Sequence, residues 1–271
     1  MPAPARRGTD PGRRGRTIDV DLHHVASGPE DAPVLLLGGS LGSTVAMWDP
    51  QVRALSETLR VVCFDHRGHG GSPVPAGPYS MEGLAGDVIA LMDRLGVERA
   101  HYAGLSLGGM VGQWLALHHP ERIDRLALLG ATPFSGPPEP WRERAATVRD
   151  QGPGALADTL LGRWFTPEFA ERHPQDMELF RDQITHTPAE GYAGCCAAIE
   201  GFDVREDLAR VRAPTLVVAG ADDPAAPVAG ARTIAERIPG ARLEVLEDAA
   251  HLLSWQQADK VNALLAEHLA A

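Results

Sequence analysis

Short apolar runs separated by helical patterns constrain this chain more than any other feature. The runs are "PVLLLGG" (Pro33 to Gly39), "RVVCFD" (Arg60 to Asp65), "AHYAG" (Ala100 to Gly104), "RLALLG" (Arg125 to Gly130), "PTLVVAG" (Pro214 to Gly220) and "RLEVLE" (Arg242 to Glu247). Apolar without alternation, they suit strands covered on both faces, as in a parallel sheet. An earlier stretch, "TIDVDLHHV" (Thr17 to Val25), roughly alternates and predicts one more strand. Between the runs, "DPQVRALSETL" offers Asp49 as N-cap and Pro50 at the first helical position, with Val52, Leu55 and Leu59 on one face. "SMEGLAGDVIALMDRLG" places Ser80 at the cap, Leu84, Val88, Leu91, Met92 and Leu95 at helical spacing, and Gly96 at the stop. "QADKVNALLAEHL" closes the chain in the same manner. Strand and helix in alternation predict right-handed crossovers and an α/β fold built on a mostly parallel, doubly wound sheet.

One segment interrupts the rhythm. From Phe134 to Arg212 there is no convincing core strand, only helical patterns such as "WRERAATVRD" and "GALADTLLGRWF" with prolines between them. The expected organisation is a flexible basic arm over 1–16, a core formed by 17–133 and 213–271, and a helical cap over 134–212 inserted into it. A chain of 271 residues with 44% hydrophobic residues can bury one such core. The formal net charge of -11 argues against a nucleic-acid partner, since phosphate backbones are held by clustered cations. The one basic cluster, Arg6, Arg7, Arg13, Arg14 and Arg16, sits among Gly and Pro and reads as a solvated arm, with an interaction tail as the alternative. No apolar run follows those arginines as a secretory signal requires, and none is of membrane length, so a cytoplasmic protein without a membrane partner is expected. Cys63, Cys195 and Cys196 offer neither a disulfide framework nor metal-ligand spacing and are expected to be small buried hydrophobes. The expectation is no metal and no organic cofactor; the sequence says nothing of oligomeric state.

Ligands of open α/β sheets bind beyond the carboxyl ends of the strands, which directs attention to the residues just after each run. "HYAGLSLGGMVG" holds Ser106 between Gly104 and Gly108 where a strand pattern gives way to a helical one. A Gly-x-Ser-x-Gly arises by chance in about one in ten such chains, so the strand-to-helix context carries the signal. In that context the glycines let strand and helix close on a sharp turn that holds up a nucleophile. The loop "GGSLG" frees backbone N–H groups suited to an oxyanion, and it lacks the lysine and spacing of a phosphate loop. Past the next run, in "GADDPAAP", Asp222 and Asp223 are both placed to orient a histidine, and His251 follows the last run in "EDAAHLLSW". "DHRGHGGS" adds a turn in which Asp65 and Arg67 are expected to anchor loops at the mouth of the site.

From about Asp21 onward these features together resemble the α/β-hydrolase superfamily, whose nucleophile, acid and base follow one another in this order. Within it the chain is most similar to 3-oxoadipate enol-lactonases, which open a lactone in the β-ketoadipate route of aromatic degradation. "SLGSTVAMWDPQ", "PWRERAATVRDQG", "RWFTPEF" and "GYAGCCAAIEGFDVRE" carry that likeness beyond the generic elbow. The resemblance implies an α/β-hydrolase fold, Ser106 as nucleophile, Asp223 rather than Asp222 as acid, His251 as base, and the Leu41 and Leu107 N–H groups as oxyanion donors. It departs from the group after "RLALLG", where this chain reads "ATPFSG" with Phe134, and an expected partner for a substrate carboxylate is lost. An anionic lactone then calls for other pocket groups, and Trp141, Arg163 and Trp164 join Phe134 as the expected ones. The competing readings are another esterase or carbon–carbon bond hydrolase of this fold, and a non-catalytic receptor that uses the pocket to bind a small molecule.

Overall fold

The apolar runs become Val34–Gly38 (β2), Arg60–Phe64 (β3), Ala100–Leu105 (β4), Ile123–Leu129 (β5), Thr215–Gly220 (β6) and Arg242–Leu246 (β7), preceded by the short His24–Ser27 (β1). The structure, a computed structural model, describes residues 20–270; the basic arm expected over 1–16 lies outside the described residues. Every residue of β4 and β6 is buried, as the lack of alternation requires of strands covered on both faces. The strands form a seven-stranded sheet in the order β1-β3-β2-β4-β5-β6-β7. All neighbours are parallel except β1, which runs antiparallel to β3 at the edge.

β1 starts later than the alternating pattern predicts. Val20 and Leu22 are buried outside the sheet, and the Val20 N–H donates to the Asp87 Oδ1 at 3.0 Å. The alternation there records burial of Val20 and Leu22 in the core ahead of the strand and not strand pairing. Around the sheet lie Asp49–Leu55 (α1), Met81–Arg94 (α2), Leu107–His118 (α3), Val228–Arg237 (α9) and Ala258–Ala270 (α11), with the single turn Leu253–Gln256 (α10) before the last. Ser80 caps α2 by accepting from the Gly83 N–H at 3.1 Å. Asp49 is not an N-cap: a 3-10 turn over Val45–Trp48, capped by the Thr44 hydroxyl, leads into α1 and makes Asp49 its first residue.

Between β5 and β6 the chain runs through Glu139–Gln151 (α4), Ala157–Trp164 (α5), Pro167–Arg172 (α6), Pro174–His186 (α7) and Ala189–Glu200 (α8) and adds no strand to the sheet. An isolated antiparallel bridge between Phe134 and Asp203 joins the two ends of this segment. Arg67 and Asp65 do not stand at the mouth of a site. Arg67 is buried and pairs in bidentate fashion with Asp87 of α2, so a charge taken out of water is matched where it lies. Asp65 accepts from the Val45 and Gly71 N–H groups at 2.7 and 2.9 Å and faces His23 Nδ1 at 2.7 Å, tying three loops beneath the sheet's carboxyl edge.

The strand order fixes where a ligand can sit. After β2 the chain crosses outward to β3, and β4 then enters on the opposite side of β2, so the order reverses between β2 and β4. Their carboxyl ends lie side by side, with Gly38 in register with Gly104. Loops leaving such a switch point diverge and open a crevice.

Candidate active site

β4 ends at Leu105 and α3 begins at Leu107, which leaves Ser106 alone to make the turn. It does so at φ 56° and ψ -111°, a conformation that costs a non-glycine residue roughly 1–3 kcal/mol and has to be held by its surroundings. The flanking glycines supply the room. A Cβ on Gly104 would stand 2.2 Å from the Gly108 carbonyl oxygen, and one on Gly108 would stand 2.0 Å from the Gly38 carbonyl oxygen. With both bare, the Gly108 N–H donates to the Gly39 carbonyl at 3.0 Å and fastens the turn to the loop after β2.

That loop is set by two buried histidines of "DHRGHGGS". The Gly42 N–H donates to His69 Nε2 at 2.9 Å, so Nε2 carries no proton, and Nδ1 faces the Arg67 carbonyl at 3.3 Å. His66 Nε2 donates to the Gly39 carbonyl at 3.2 Å. Burial pushes His66 down to about 3 and His69 down to about 4, which keeps both rings neutral and keeps His69 an acceptor. Leu107 is the first residue of α3, where the N–H has no intrahelical acceptor. Among the described residues neither the Leu107 nor the Leu41 N–H has an acceptor, and both residues line the same cavity as Ser106.

Asp223 and His251 come from the loops after β6 and β7. His251 Nδ1 lies 2.8 Å from Asp223 Oδ2, and both side chains are buried. Asp223 Oδ1 accepts from the Ala225 and Ala226 N–H groups at 2.8 and 2.9 Å. Burial opposes ionisation of this carboxyl, but the neighbouring His251 and these donors outweigh it and hold the Asp223 pKa below its ordinary value. Asp222, adjacent in sequence, is exposed and lines a separate surface hollow with Asp248. The His251 loop is also fastened to the inserted helices, since the Leu252 N–H donates to the Trp164 carbonyl at 2.9 Å.

Ser106 and His251 open into one cavity of about 280 Å³, at the small end of ligand sites. Its far side is made by the inserted segment, including Phe134, Trp141, Arg163 and Trp164. Trp164 is buried and meets Phe180 edge-on at 6.0 Å, and the Trp141 Nε1–H donates to the Ser135 carbonyl at 3.0 Å. Phe134 is 37% exposed, with the Arg205 guanidinium 4.1 Å over its ring. Arg163 reaches the cavity from an exposed position on α5. A second cation that the sequence reading passed over, Arg144, lines it too. The signal for Arg144 was its place three residues after Trp141 on a helix whose apolar side also carries Ala145 and Val148. The three cysteines are buried and unpaired, and burial pushes the Cys63 and Cys196 thiols up to about 12 and about 11, so neither competes as a nucleophile. Among the described residues no group of three or more His, Cys, Asp or Glu side chains gathers as a metal site would require.

A strained serine at a strand-to-helix turn, an Asp-paired histidine and free N–H groups at a switch-point crevice define an α/β hydrolase, and the chain belongs to that family: the alpha/beta hydrolase fold matches it over residues 32–258. More particularly, it is 41% identical to 3-oxoadipate enol-lactonase 2 of Acinetobacter baylyi over 90% of this chain and 91% of that protein. The crystal structure of the enol-lactonase from Burkholderia xenovorans LB400 superposes with a TM-score of 0.91 at 42% identity, covering 93% of this chain and 97% of that one. A thermophilic esterase from Thermogutta terrifontis superposes with a TM-score of 0.87 at 30% identity over 93% of both chains.

Proposed function

We propose that this protein is a serine hydrolase that opens 3-oxoadipate enol-lactone, or a closely related acidic lactone, to the corresponding oxo acid. The observation that carries the chemistry is the 2.8 Å pairing of His251 with Asp223 beside the cavity that Ser106 enters from a strained turn. The enol-lactonase relatives supply the substrate class.

In this reading Asp223 fixes the His251 proton on Nδ1 and leaves Nε2 to take the Ser106 proton as Oγ attacks the lactone carbonyl. The negative oxygen that forms is received by the Leu41 and Leu107 N–H groups, which the two neutral histidines and the helix start hold in place. Collapse breaks the ring C–O bond, and the departing enol oxygen takes the proton from His251. The leaving group stays tethered through the acyl chain, so the cavity holds the whole molecule until water, deprotonated by His251, frees the carboxylate and Ser106. The enol tautomerises to the ketone. Residues 134–212 act as a cap that shapes the substrate end of the cavity. We place the reaction in aromatic-compound degradation by the β-ketoadipate pathway, in the cytoplasm; the enol-lactonase relatives support the first and three unpaired cysteines the second.

A panel of the enol-lactone, p-nitrophenyl acetate and a vinylogous diketone tests the reading. The lactone is expected to give the highest kcat/KM. A preference for the diketone would make the protein a carbon–carbon bond hydrolase, and absence of turnover with all three, together with no labelling of Ser106 by a fluorophosphonate, would make it a receptor.

A further inference from the structure

Leu41 serves as an oxyanion donor only if its neighbours leave its N–H free and hold it still. The N–H groups around it are all engaged: Ser40 donates to Met47 Sδ at 3.3 Å, Gly42 to His69 Nε2 at 2.9 Å, Ser43 to the Ser40 carbonyl at 3.2 Å, Thr44 to Gln183 Oε1 at 2.9 Å and Val45 to Asp65 Oδ1 at 2.7 Å. Four of these acceptors lie before α2 in the chain, on the loop itself or on the turn after β3. The remaining one, Gln183, comes from α7 of the inserted segment, 139 residues further along the chain.

Three side chains of α7 are buried, Phe180, Gln183 and Ile184, at the i, i+3 and i+4 spacing of one helix face. Along that face Phe180 meets Trp164 edge-on, and the Trp164 carbonyl takes the Leu252 N–H beside His251. One turn further on, Gln183 holds Thr44, while Ile184 and Tyr192 of α8 close on Gly42, where a Cβ would stand 3.8 Å from Ile184 Cγ1 and 3.1 Å from Tyr192 Cε2. A single helix face is thereby fastened both to the loop that carries Leu41 and to the loop that carries His251. For packing alone Gln183 is a poor choice: its Nε2 is buried with no acceptor among the described residues, a cost that an apolar side chain of the same length would not carry.

We infer that Gln183 is a positioning residue for the oxyanion hole: its amide oxygen, delivered by an inserted helix, holds the Thr44 turn and through it the Leu41 N–H, so that the inserted helices complete the catalytic site as well as wall the cavity. The role rests on the hydrolase reading of the same cavity. Without the Gln183 acceptor the buried Thr44 N–H has to find another, and the turn shifts; a misplacement of about 1 Å set up away from the chemistry can cost about 10²-fold in rate. Negative charge reaches the Leu41 N–H only in the transition state, so the loss falls on kcat and not on KM. It falls equally on a substrate too small to need the inserted helices for binding.

The test uses p-nitrophenyl acetate, such a small ester, with the full chain. Gln183→Met, of similar length but without the acceptor, is expected to lower kcat about 10- to 100-fold with KM within about threefold. Gln183→Glu keeps an oxygen toward Thr44 and is expected to recover most of that rate. Inhibition by 1,1,1-trifluoroacetone gives a second readout: Ser106 Oγ bonds to its carbonyl carbon, the π pair moves onto oxygen, His251 takes the serine proton, and the anion enters the hole. Its inhibition constant should rise in Gln183→Met by the factor by which kcat falls. Thermal melting checks each variant, and if Gln183→Met is unfolded at the assay temperature, Gln183→Asn, which draws the acceptor back by one methylene, is read by the same criteria. A lower melting temperature with native kcat and native ketone inhibition would make Gln183 merely structural and overturn the role. A raised KM at constant kcat, or a Gln183→Glu protein no better than Gln183→Met, would overturn it too. Native protein that neither turns over the ester nor is labelled at Ser106 by a fluorophosphonate would sink the hydrolase reading and this role with it, whereas native turnover left unchanged by Gln183→Met sinks the role alone.

Discussion

Replacing Asp223 by Asn exposes how the His251 ring is set. The native carboxylate accepts three hydrogen bonds, from the Ala225 and Ala226 N–H groups on Oδ1 and from His251 Nδ1–H on Oδ2. An asparagine has one acceptor oxygen, and two backbone donors already converge on the Oδ1 position, so its NH₂ must occupy the Oδ2 position facing His251. The imidazole then has to accept at Nδ1 and carry its proton on Nε2, where it can no longer receive the Ser106 proton. The isostere therefore preserves packing and installs the wrong tautomer. The same swap in Ser-His-Asp enzymes lowers kcat by about 10⁴-fold, equivalent to about 5.4 kcal/mol of barrier. The assay is kcat for ring opening, with thermal melting beside it: the rate should fall about 10⁴-fold while the fold persists. Asp222→Asn is the control and should leave the rate unchanged, because that side chain is exposed and away from His251. An Asp223→Asn protein within tenfold of native activity, or an equal loss in Asp222→Asn, would refute the tautomer argument.

Two further outcomes follow from the supports of the site. Gly108→Ala, whose new Cβ would stand 2.0 Å from the Gly38 carbonyl, is expected to destabilise by about 3 kcal/mol or more in urea unfolding; a stable, active Gly108→Ala would mean that the turn has slack. His66 and His69 titrate lower in the folded chain, at about 3 and about 4, than the ordinary value near 6.5. The unfolded chain therefore binds more protons in that interval, and their contribution to stability is complete above about pH 6.5 and lost as pH falls toward 4. Between pH 6.5 and 5 each histidine should cost about 2 kcal/mol, and His69→Gln, which can still accept from Gly42, should flatten the pH dependence of urea unfolding; an unchanged slope would contradict the buried neutral assignment.

The runs that became β2 to β6 were legible because strands covered on both faces leave little choice but apolar residues, whereas β7, at the sheet edge, is only part-buried and carries Arg242 and Glu244. β1 was displaced because Val20 and Leu22 alternate to bury in the core without strand pairing, and periodicity does not say which partner an apolar side faces. The cap of α1 was misplaced for a related reason: Thr44, not Asp49, starts the helical turns, and a preceding 3-10 turn has no pattern of its own. Ser106 was readable because its turn is made by glycines within two residues. Asp222 and Asp223 are equivalent as letters, and only the path of the chain after β6 decides which one faces His251. Arg144 escaped notice because the face α4 turns to the cavity depends on how the inserted helices dock, although its spacing from Trp141 pointed there. His66 and His69 were passed over in favour of their neighbours Asp65 and Arg67, since nothing local reveals a ring accepting a loop N–H from far along the chain.

The most direct test is the ultraviolet absorbance of the enol-lactone, followed on adding the native protein and, separately, Ser106→Ala. Prompt loss of absorbance is expected with the native protein, and a rate roughly 10⁶-fold lower with the variant. No loss with the native protein, or a comparable loss with Ser106→Ala, would contradict the proposed function.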